Sequence, residues 1–364
     1  MRVSLPYDGP IGASVPLRRG ILPSLGALVL LAYPLLVLLL TCLSFLFHPR
    51  TGLLAVTRLF APHLFLPLLL LVPFAFRRGS AGVTALRVAL LLCLCLFCVS
   101  YLPRLSAASP NPDPSAPKLS VLTWNVFSGN RSTDAIRDAL LAGSADVVVL
   151  QEADWRWVDI DDVALIAAYP YRLAQVDDAP PGMALLSKYP IVGSGVLDGH
   201  RDLWDIPRLL WARIDLGGGI LATVIDAHPI SPYYSGGDCP LPACFDPALR
   251  DRQLTAIRDD YLQPLIDSGE PFVLAGDLNL NEREPAYADF TRGLIDTFKA
   301  VGTGFGTSWR PQFIMNQPIG VLRIDYLMAA PNVKPLSVTT DCTPRHSDHC
   351  VLRGTFELES AELP

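Results

Sequence analysis

Acidic residues are almost absent from the first third of the sequence. Residues 1–118 contain ten Lys and Arg residues but only two acids, Asp8 and Asp113, which gives this region a net charge of +8. The other 19 basic and 33 acidic residues give the rest of the chain a net charge of −14. The overall net charge of −6 therefore combines two regions of opposite character, which a single uniform soluble domain does not explain.

Charged residues are also nearly absent from three long stretches of the basic region. They are Ile21–Phe47, Leu53–Phe76 and Val83–Leu102. Their apolar character is interrupted only by Arg58, His63 and Arg87. A helix needs about 20 apolar residues to cross a bilayer, and a cleaved signal peptide would explain only one of the three stretches. The sequence therefore predicts a membrane region, residues 1–105, with three transmembrane helices at about 21–47, 53–76 and 83–102.

Basic residues flank alternate loops of this region. Arg18 and Arg19 precede the first stretch, and Arg77 and Arg78 lie between the second and third. Because cytoplasmic loops carry the excess of Lys and Arg, we expect residues 118–364 on the extracytoplasmic side of the cell membrane, as part of a multi-pass protein. Residues 106–117, SAASPNPDPSAP, are predicted to form a stiff, disordered Pro/Ser linker that holds the domain off the membrane.

Cysteine is scarce outside the membrane region. The four residues there are Cys239, Cys244, Cys342 and Cys350. An even count in an oxidising compartment suggests two disulfides, and the pairs Cys239–Cys244 and Cys342–Cys350 are the local choice among three connectivities. Zinc binding is the alternative, although the spacing is not a familiar zinc pattern. The membrane-region cysteines are most simply small apolar residues: Cys42, Cys93, Cys95 and Cys98.

The segment PFVLAGDLNL, residues 271–280, has the pattern of a buried strand that ends in polar residues. Its apolar run stops at Gly276, and Asp277 and Asn279 follow. The carboxyl ends of strands are where open α/β sheets bind ligands. Other predicted strands end in Asn125, Glu152, His228, Asp325, and Asp348 with His349. Each alone could be a turn, a solvated helix start or a core histidine, but their shared position at strand ends indicates one site.

Strands and helices alternate from residue 118 to 358, with hairpins between them. Leu209–Asp215 and Ile220–Ala227 form a predicted hairpin, and helical patterns cover Trp155–Ala168 and Pro247–Ile266. The pattern predicts an α/β fold in which two β-sheets pack face to face, with helices outside.

Seven short motifs occur in a specific order along this half of the chain. They are TWN (123–125), LQE (150–152), GMALLSKYPI (182–191), DAHP (226–229), GDLN (276–279), RIDY (323–326) and SDH (347–349). The ordered set resembles the endonuclease/exonuclease/phosphatase superfamily, which has the deoxyribonuclease-I-like fold. The resemblance covers roughly residues 118–358 and implies a four-layer sandwich and a catalytic domain over 118–364. Membrane-tethered bacterial members of that family look similar in layout.

The resemblance also implies roles for the strand-end residues. Asp277 would orient and deprotonate the attacking water, and Asn279 would steady it and a phosphate oxygen. His349, held by Asp325, would bind or protonate a phosphoryl oxygen, and His228 would donate to another. Such chemistry suits an in-line hydrolysis of a phosphodiester.

A divalent cation is expected among these residues on physical grounds. Carboxylates that converge on one pocket repel each other unless a cation lies between them. Glu152 is the best single ligand, with Asn125 and Asp348 helping, and such hard oxygen ligands favour Mg²⁺ or Mn²⁺ over zinc.

Two features of the sequence depart from a typical nuclease of this family. The acid expected just before the GMALLSKYPI strand is replaced by Pro180–Pro181, and Asp177 and Asp178 are not assigned to the site. A basic cluster, the usual footprint of nucleic-acid binding, is also missing, since Arg250, Arg252 and Arg258 read as a solvated helix face.

The substrate therefore stays open between a nucleic acid and a phospholipid-type phosphodiester. Trp309 could stack on a base or simply pack. The alternative to an enzyme is an inactive exported binding or sensor module on the same fold. The joint presence of Glu152, Asp277, Asn279 and His349 argues against it. No protein partner can be inferred, and the lipid bilayer is the one partner besides the substrate.

Overall fold

The computed structural model describes residues 25–79, 81–108, 110–175, 182–196, 209–233 and 244–358. The chain divides into two compact units. Met1–Leu39 and Leu64–Val99 form the first unit, and Leu40–His63 and Ser100–Pro364 form the second.

Within the described ranges the chain forms ten α-helices and twelve strands. The helices are α1 (Leu25–Phe47), α2 (Gly52–Leu59), α3 (Val72–Ala75), α4 (Ala81–Tyr101), α5 (Thr133–Gly143), α6 (Val163–Ala168), α7 (Ala248–Ala256), α8 (Gln263–Ser268), α9 (Pro285–Phe290) and α10 (Thr297–Val301). The strands are β1 (Lys118–Asn125), β2 (Val147–Ala153), β3 (Tyr171–Gln175), β4 (Gly182–Ser187), β5 (Ile191–Val196), β6 (Leu209–Asp215), β7 (Leu221–Ala227), β8 (Phe272–Asp277), β9 (Ile295–Asp296), β10 (Asp325–Ala329), β11 (Val333–Asp341) and β12 (Val351–Leu358). Short 3-10 segments cover Ala61–Leu71 and Gln312–Ile314, and a π-helical segment, Ile257–Leu262, joins α7 to α8.

Two of the helices are long and apolar enough to cross a membrane, at Leu28–Phe47 and Ala81–Tyr101. The predicted middle helix is not continuous. Gly52–Leu59 and Ala61–Ala75 meet at a bend of 73°, so the described residues contain two candidate spans, or three if the bent pair is one span. Pro62 and Pro67 lie in the bent half, where a proline removes a backbone donor and clashes with the preceding turn. The prediction of three regular helices was therefore too simple.

The two predicted β-sheets are confirmed. One has the strand order β11-β12-β1-β2-β4-β3 and the other β5-β6-β7-β8-β10-β9, and both mix parallel and antiparallel pairs. Alternation along β1 places Leu119 and Val121 in the core between the sheets, whereas Leu122 and Trp124 pack with α5 and α6 outside. By the same alternation Asn125, at the end of β1, faces the space between the sheets.

Local structure differs from the sequence expectation in several places. The helix predicted over Trp155–Ala168 begins only at Val163, because Asp162 caps it by accepting N–H groups of Ala164 and Leu165. The second helical pattern is confirmed as α7, the π segment and α8. The short edge strand β5 and the long strand β11 were not predicted.

The predicted linker is bound to the domain where it is described. Asp113 N–H donates to Glu357 Oε2 at 2.6 Å, and Lys334 Nζ donates to Asn111 O at 2.6 Å. Leu358 N–H donates to Pro117 O at 2.9 Å. These contacts hold residues 111–117 along β11 and β12, so this segment is not the free spacer that its Pro/Ser composition suggested.

One predicted disulfide is present, between Cys342 and Cys350, which are separated by eight positions. It closes the loop that carries Asp348 and His349. Cys239 lies outside the described residues, so the other pairing stays a prediction. Cys42, Cys93, Cys95 and Cys98 are free thiols, as expected of apolar side chains in a membrane region.

We expect the Cys342→Ala/Cys350→Ala variant to unfold at a lower temperature than the wild type. Opening a loop of eight positions costs about 2.5 kcal/mol through the entropy of the unfolded chain. Thermal unfolding of the full chain in detergent measures the shift, and Cys98→Ala, which removes a free thiol, is the matched control. An unchanged transition would show that this disulfide does not stabilise the loop.

Candidate active site

Strand pairing brings the polar strand ends together. Asp277 at the end of β8 is paired with Asp325 at the start of β10, and β1 and β2 place Asn125 beside Gln151. Both pairs lie at one end of the sandwich, because β7 and β8 run parallel and β10 returns antiparallel to β8. The site is therefore built from the two sheets jointly.

The backbone is unusual at three residues near the ends of β2 and β8. Gly276 has φ +141, and a Cβ atom there would lie 2.1 Å from Ala227 O, so only glycine fits. Glu152 has φ +54 and Asn279 has φ +49, in the left-handed region that non-glycine residues seldom adopt. Such strain is common at functional sites.

A register shift in β2 turns the Glu152 side chain toward the site. Strict alternation would place Glu152 on the helix-covered face with Val148 and Leu150. The pairing of β2 with β4 shifts register between Leu150 and Ala153, and Glu152 adopts its positive φ within that shift. Bulges of this kind redirect side chains beside active sites.

Asn125 connects the two carboxylates nearest to it. Its Nδ2 donates to Glu152 Oε1 at 3.1 Å and to Asp277 Oδ2 at 3.0 Å. Its Oδ1 accepts the Phe127 N–H at 3.0 Å. The amide thus presents donors to the carboxylates and orients Glu152 and Asp277, and the role of Asn125 as a metal ligand stays a prediction.

Asp325 and His349 form the predicted buried pair. Asp325 Oδ2 accepts from His349 Nδ1 at 2.9 Å and from Ser308 Oγ at 2.5 Å. Burial opposes a charge on the imidazole, but Asp325 and Asp277 outweigh it and raise the pKa of His349 to about 10. His349 is therefore an imidazolium at neutral pH, with Nε2 lying 3.7 Å from Asp277 Oδ2.

Asp277 and Glu152 differ in their affinity for a proton. Burial, opposed by His349 and reinforced by Asp325, raises the pKa of Asp277 to about 7. Burial also disfavours the charged form of Glu152, but His228 and the Ser128 N–H outweigh it and lower the pKa of that carboxyl. One carboxylate is thus suited to exchange a proton near neutrality, and the other is suited to stay charged.

His228 and Asn279 lie at the same site. His228 Nε2 is 3.8 Å from Asp277 Oδ2 and 3.9 Å from Glu152 Oε1. The Asn279 N–H donates to Asp277 Oδ1 at 2.8 Å, and Asn279 Nδ2 donates to Pro229 O at 3.0 Å. The loops after β7 and β8 are therefore held to each other. Asp177 and Asp178 lie outside the described residues.

Asp348 has an unsatisfied oxygen at the site. Its Oδ1 is buried without a hydrogen-bond partner among the described residues, and it lies 4.0 Å from His349 Nε2. Burial raises the pKa of Asp348, and Glu152 adds to the rise. The Asp348 oxygen is buried, lacks a donor within the described part of the chain and is repelled by the Glu152 carboxylate. A divalent cation would provide the missing partner and relieve this repulsion.

Asp277, Asp325 and His349 form a second group with the spacing of metal ligands, with one ligand atom from each lying within 4.8 Å of the others. Their hydrogen bonds favour another interpretation. Both Asp325 oxygens already contact His349 Nδ1, and Ser308 adds a further bond. This group is therefore better described as an Asp–His pair beside Asp277 than as the centre that holds a cation.

Several residues that support the site were not predicted. Ser347 Oγ donates to Asn125 O at 2.8 Å and accepts the His349 N–H at 3.0 Å. Trp309, considered for base stacking, is half-buried, pairs with the backbone at His349 and donates from its side chain to Asp348. Ser347 is part of the SDH motif, so its place near the site could have been predicted. The sequence around Ser308, GTSWRP, contains no pattern that indicates a role at the site.

Arg250 is a further supporting residue, and its location corrects an expectation. It is 1% exposed, Arg258 is 8% exposed, and only Arg252 of the three helix arginines is exposed, so the predicted solvated face is wrong. Arg250 Nη1 donates to Asn279 O at 2.6 Å, and both its Nη atoms bond to Glu284. It thereby fixes the backbone of the GDLN loop.

The two-sheet fold and the grouping of the strand-end residues agree with the family that the motifs suggested. The model of the endonuclease/exonuclease/phosphatase family matches residues 122–349, and the chain belongs to this family. Its members are generally hydrolases that act on phosphoester bonds. No curated protein matches the chain.

Solved structures share the fold at low sequence identity. An endonuclease/exonuclease/phosphatase from Beutenbergia cavernae is 21% identical with a TM-score of 0.51, over 67% of this chain and 72% of that one. TDP2 of D. rerio, complexed with a single-strand DNA product, is 19% identical with a TM-score of 0.50, over 66% and 99%. The human Nocturnin catalytic domain, with bound sulfate, is 15% identical with a TM-score of 0.50, over 67% and 95%.

Proposed function

We propose that the protein is a membrane-anchored phosphodiesterase that depends on Mg²⁺ or Mn²⁺. The observation that carries the proposal is the position of Asp277. It is 1% exposed, receives hydrogen bonds from Asn125 and Asn279, and lies within 4 Å of the imidazoles of His228 and His349. A buried base enclosed by cationic or donor groups suits the activation of a water against an anionic substrate.

The residues divide the reaction between them. Asp277 accepts the proton of the attacking water, and the Asn125 and Asn279 contacts fix the direction in which its carboxylate points. His349, held by Asp325, donates to a phosphoryl oxygen and stabilises the charge that develops there. His228 donates to another oxygen. Positioning and charge stabilisation of this kind account for most catalysis of phosphoryl transfer.

Glu152 and Asp348 are the residues that would hold the cation. Bound there, Mg²⁺ or Mn²⁺ would neutralise charge on the phosphate. Asn125 keeps Glu152 oriented, and the orphaned Asp348 Oδ1 is free to accept a ligand bond. The prediction that Asn125 itself is a ligand would require its amide to turn over and give up the Phe127 contact.

The substrate is either a nucleic acid or a phospholipid-type phosphodiester. The structure of D. rerio TDP2 contains a single-strand DNA product, which supports a nucleic-acid substrate for TDP2. The net charge of −14 outside the basic region and the burial of Arg250 and Arg258 speak against an extended nucleic-acid surface here. An inactive module on this fold remains the alternative function.

We further propose that residues 118–364 form the catalytic domain and lie on the extracytoplasmic side. The candidate spans and the arrangement of Arg18, Arg19, Arg77 and Arg78 support this orientation. The Cys342–Cys350 disulfide is in accord with an oxidising compartment.

Hydrolysis of bis(p-nitrophenyl) phosphate by the purified full chain tests the proposal. We expect turnover with Mg²⁺ or Mn²⁺ and its loss after treatment with EDTA, because the cation that neutralises charge on the phosphate is then removed. DNA, RNA, sphingomyelin and inositol phospholipids then identify the substrate class. An absence of turnover with every metal and substrate would contradict the proposal and favour the inactive module.

A further inference from the structure

Residues 302–320, the first part of the connection between α10 and β10, form a loop that exposes large apolar side chains. Phe313 is 87% exposed, Ile319 is 53% exposed and Phe305 is 45% exposed. The loop contains a single charged residue, Arg310, which is fully buried. Exposed apolar surface without charge marks an interaction site more often than a solvated loop.

This loop is tied to the chain directly after α4. The Arg104 N–H donates to Gly304 O at 3.0 Å, and the Gly304 N–H donates to Arg104 O at 2.8 Å. An antiparallel register through this pair sets Phe305 against Pro103, and the exposed Leu105 follows Arg104. The loop is thus joined at Gly304 to the chain three positions after the last residue of a candidate membrane span.

The short connection limits how far the loop can lie from the membrane. Arg104 lies three positions after Tyr101, the last residue of the candidate span, and this length of chain reaches at most about 11 Å. The polar layer on each side of the hydrocarbon core is about 5–7 Å deep. Within the second unit, the Arg283 guanidinium lies 5.7 Å from the centre of the Tyr101 ring and holds the end of the span in place. Gly304 is therefore held close to the headgroups of the leaflet from which α4 emerges.

The middle of the loop lies against the candidate active site. Trp309 pairs with His349, and the Arg310 N–H donates to Asp348 O at 2.9 Å. Arg310 also donates from Nη2 to Ser347 O at 3.1 Å. One loop thus joins the chain at the end of α4 to the residues that would handle the phosphate.

We propose that the 302–320 loop inserts Phe305 and Phe313 into the bilayer surface from which α4 emerges, so that the site takes phosphodiesters presented at that surface. The proposal that the site takes phosphodiesters at the membrane surface rests on the proposed phosphodiesterase function, whereas the proposed insertion of the loop does not. A lipid surface suits the loop because apolar side chains gain from burial and no acidic residue is present to repel anionic headgroups.

Fluorescence of the full chain in proteoliposomes tests the insertion. Phe305→Trp and Phe313→Trp each add a tryptophan whose emission brominated phosphatidylcholine should quench. Leu221→Trp is the matched control, because Leu221 is 42% exposed but begins β7 at the end opposite His228. Quenching of both loop tryptophans above the control supports the proposal. Quenching no greater than that of the control overturns it, whatever the activity of the protein.

Kinetic measurements test the use of membrane-bound substrates separately from the proposed phosphodiesterase function. Phe305→Ser/Phe313→Ser should raise KM for a phospholipid phosphodiester in vesicles about tenfold or more, because the loop loses both phenylalanine side chains that would be buried in the bilayer surface. Hydrolysis of soluble bis(p-nitrophenyl) phosphate should not change. Equal KM values of variant and wild type for the vesicle substrate would overturn the proposal that the loop brings the site to membrane-bound substrates. Failure of the wild type on the soluble substrate would instead contradict the proposed function, and the quenching result would stand.

Discussion

Asp277→Asn should lower kcat for a generic phosphodiester by about 10²–10⁴-fold, which corresponds to about 3–5 kcal/mol of barrier. The amide retains the size of the side chain and the turn at Gly276 but cannot accept the proton of the attacking water. Folding should barely change, because the substitution removes one of several clustered acids and so relieves repulsion when metal is absent. Turnover is measured against increasing Mg²⁺ or Mn²⁺.

Two further variants separate the role of Asp277 from general effects on the site. Glu152→Gln should be partly rescued by raising the metal concentration, because Glu152 acts through affinity for the cation. Asp226→Asn is the matched control, since Asp226 is fully buried and burial raises its pKa well above the usual range, so an amide resembles its neutral form. Near wild-type turnover of Asp277→Asn, or equal rescue of both site variants by metal, would show that the assigned roles are wrong.

The second large effect concerns stability, at Arg250. Arg250→Met should destabilise the protein by about 3–5 kcal/mol, because it leaves the buried Glu284 without its cation. Burial already outweighs Arg250 and raises the pKa of Glu284, so the unpaired acid should then bind a proton. In a domain of this size the loss corresponds to roughly 6–20 °C in Tm. Thermal unfolding of the full chain in detergent measures it.

The exposed Arg252, two positions along the same helix, supplies the control. Arg252→Met should leave Tm unchanged, since the side chain lies in solvent. Arg250→Met/Glu284→Leu should recover part of the stability, because no unpaired acid remains. It should not recover activity, because Asn279 O still lacks its donor. A Tm of Arg250→Met equal to that of Arg252→Met would refute the structural role.

The sequence was informative about the site because strand ends carry a strong local signal. Asp277 was predicted from its position after an apolar run, whereas Asp325 and His349 were predicted from the RIDY and SDH motifs and lie at the start of β10 and just before β12. The structure places the three in contact. What could not be predicted was the orientation of each side chain. The donor role of Asn125 depends on the Phe127 N–H, and the direction of Glu152 depends on a register shift between β2 and β4.

Elements whose pattern was weak or contradictory were missed. β5 alternates between exposed and half-buried residues and contains Gly193 and Gly195, so it lacks the apolar run of a buried strand. Arg250 and Arg258 looked like surface residues because burial of arginine depends on partners far along the chain, such as Glu284 and the Arg292 carbonyl. The hydrogen bonds of residues 111–117 likewise involve partners more than 200 positions away.

The central position of β1 determines when the site can assemble. β1 pairs with β2, which follows soon after it, but also with β12, the last strand described. Ser347 holds the carbonyl of Asn125 across 222 positions. Closing so long a loop costs conformational entropy before the stabilising contacts form. The pairing of β1 with β12 is therefore slow and is expected late in folding. The residues of the candidate site are therefore brought together only after β12 has been synthesised, so no folding intermediate that lacks β12 contains a complete site.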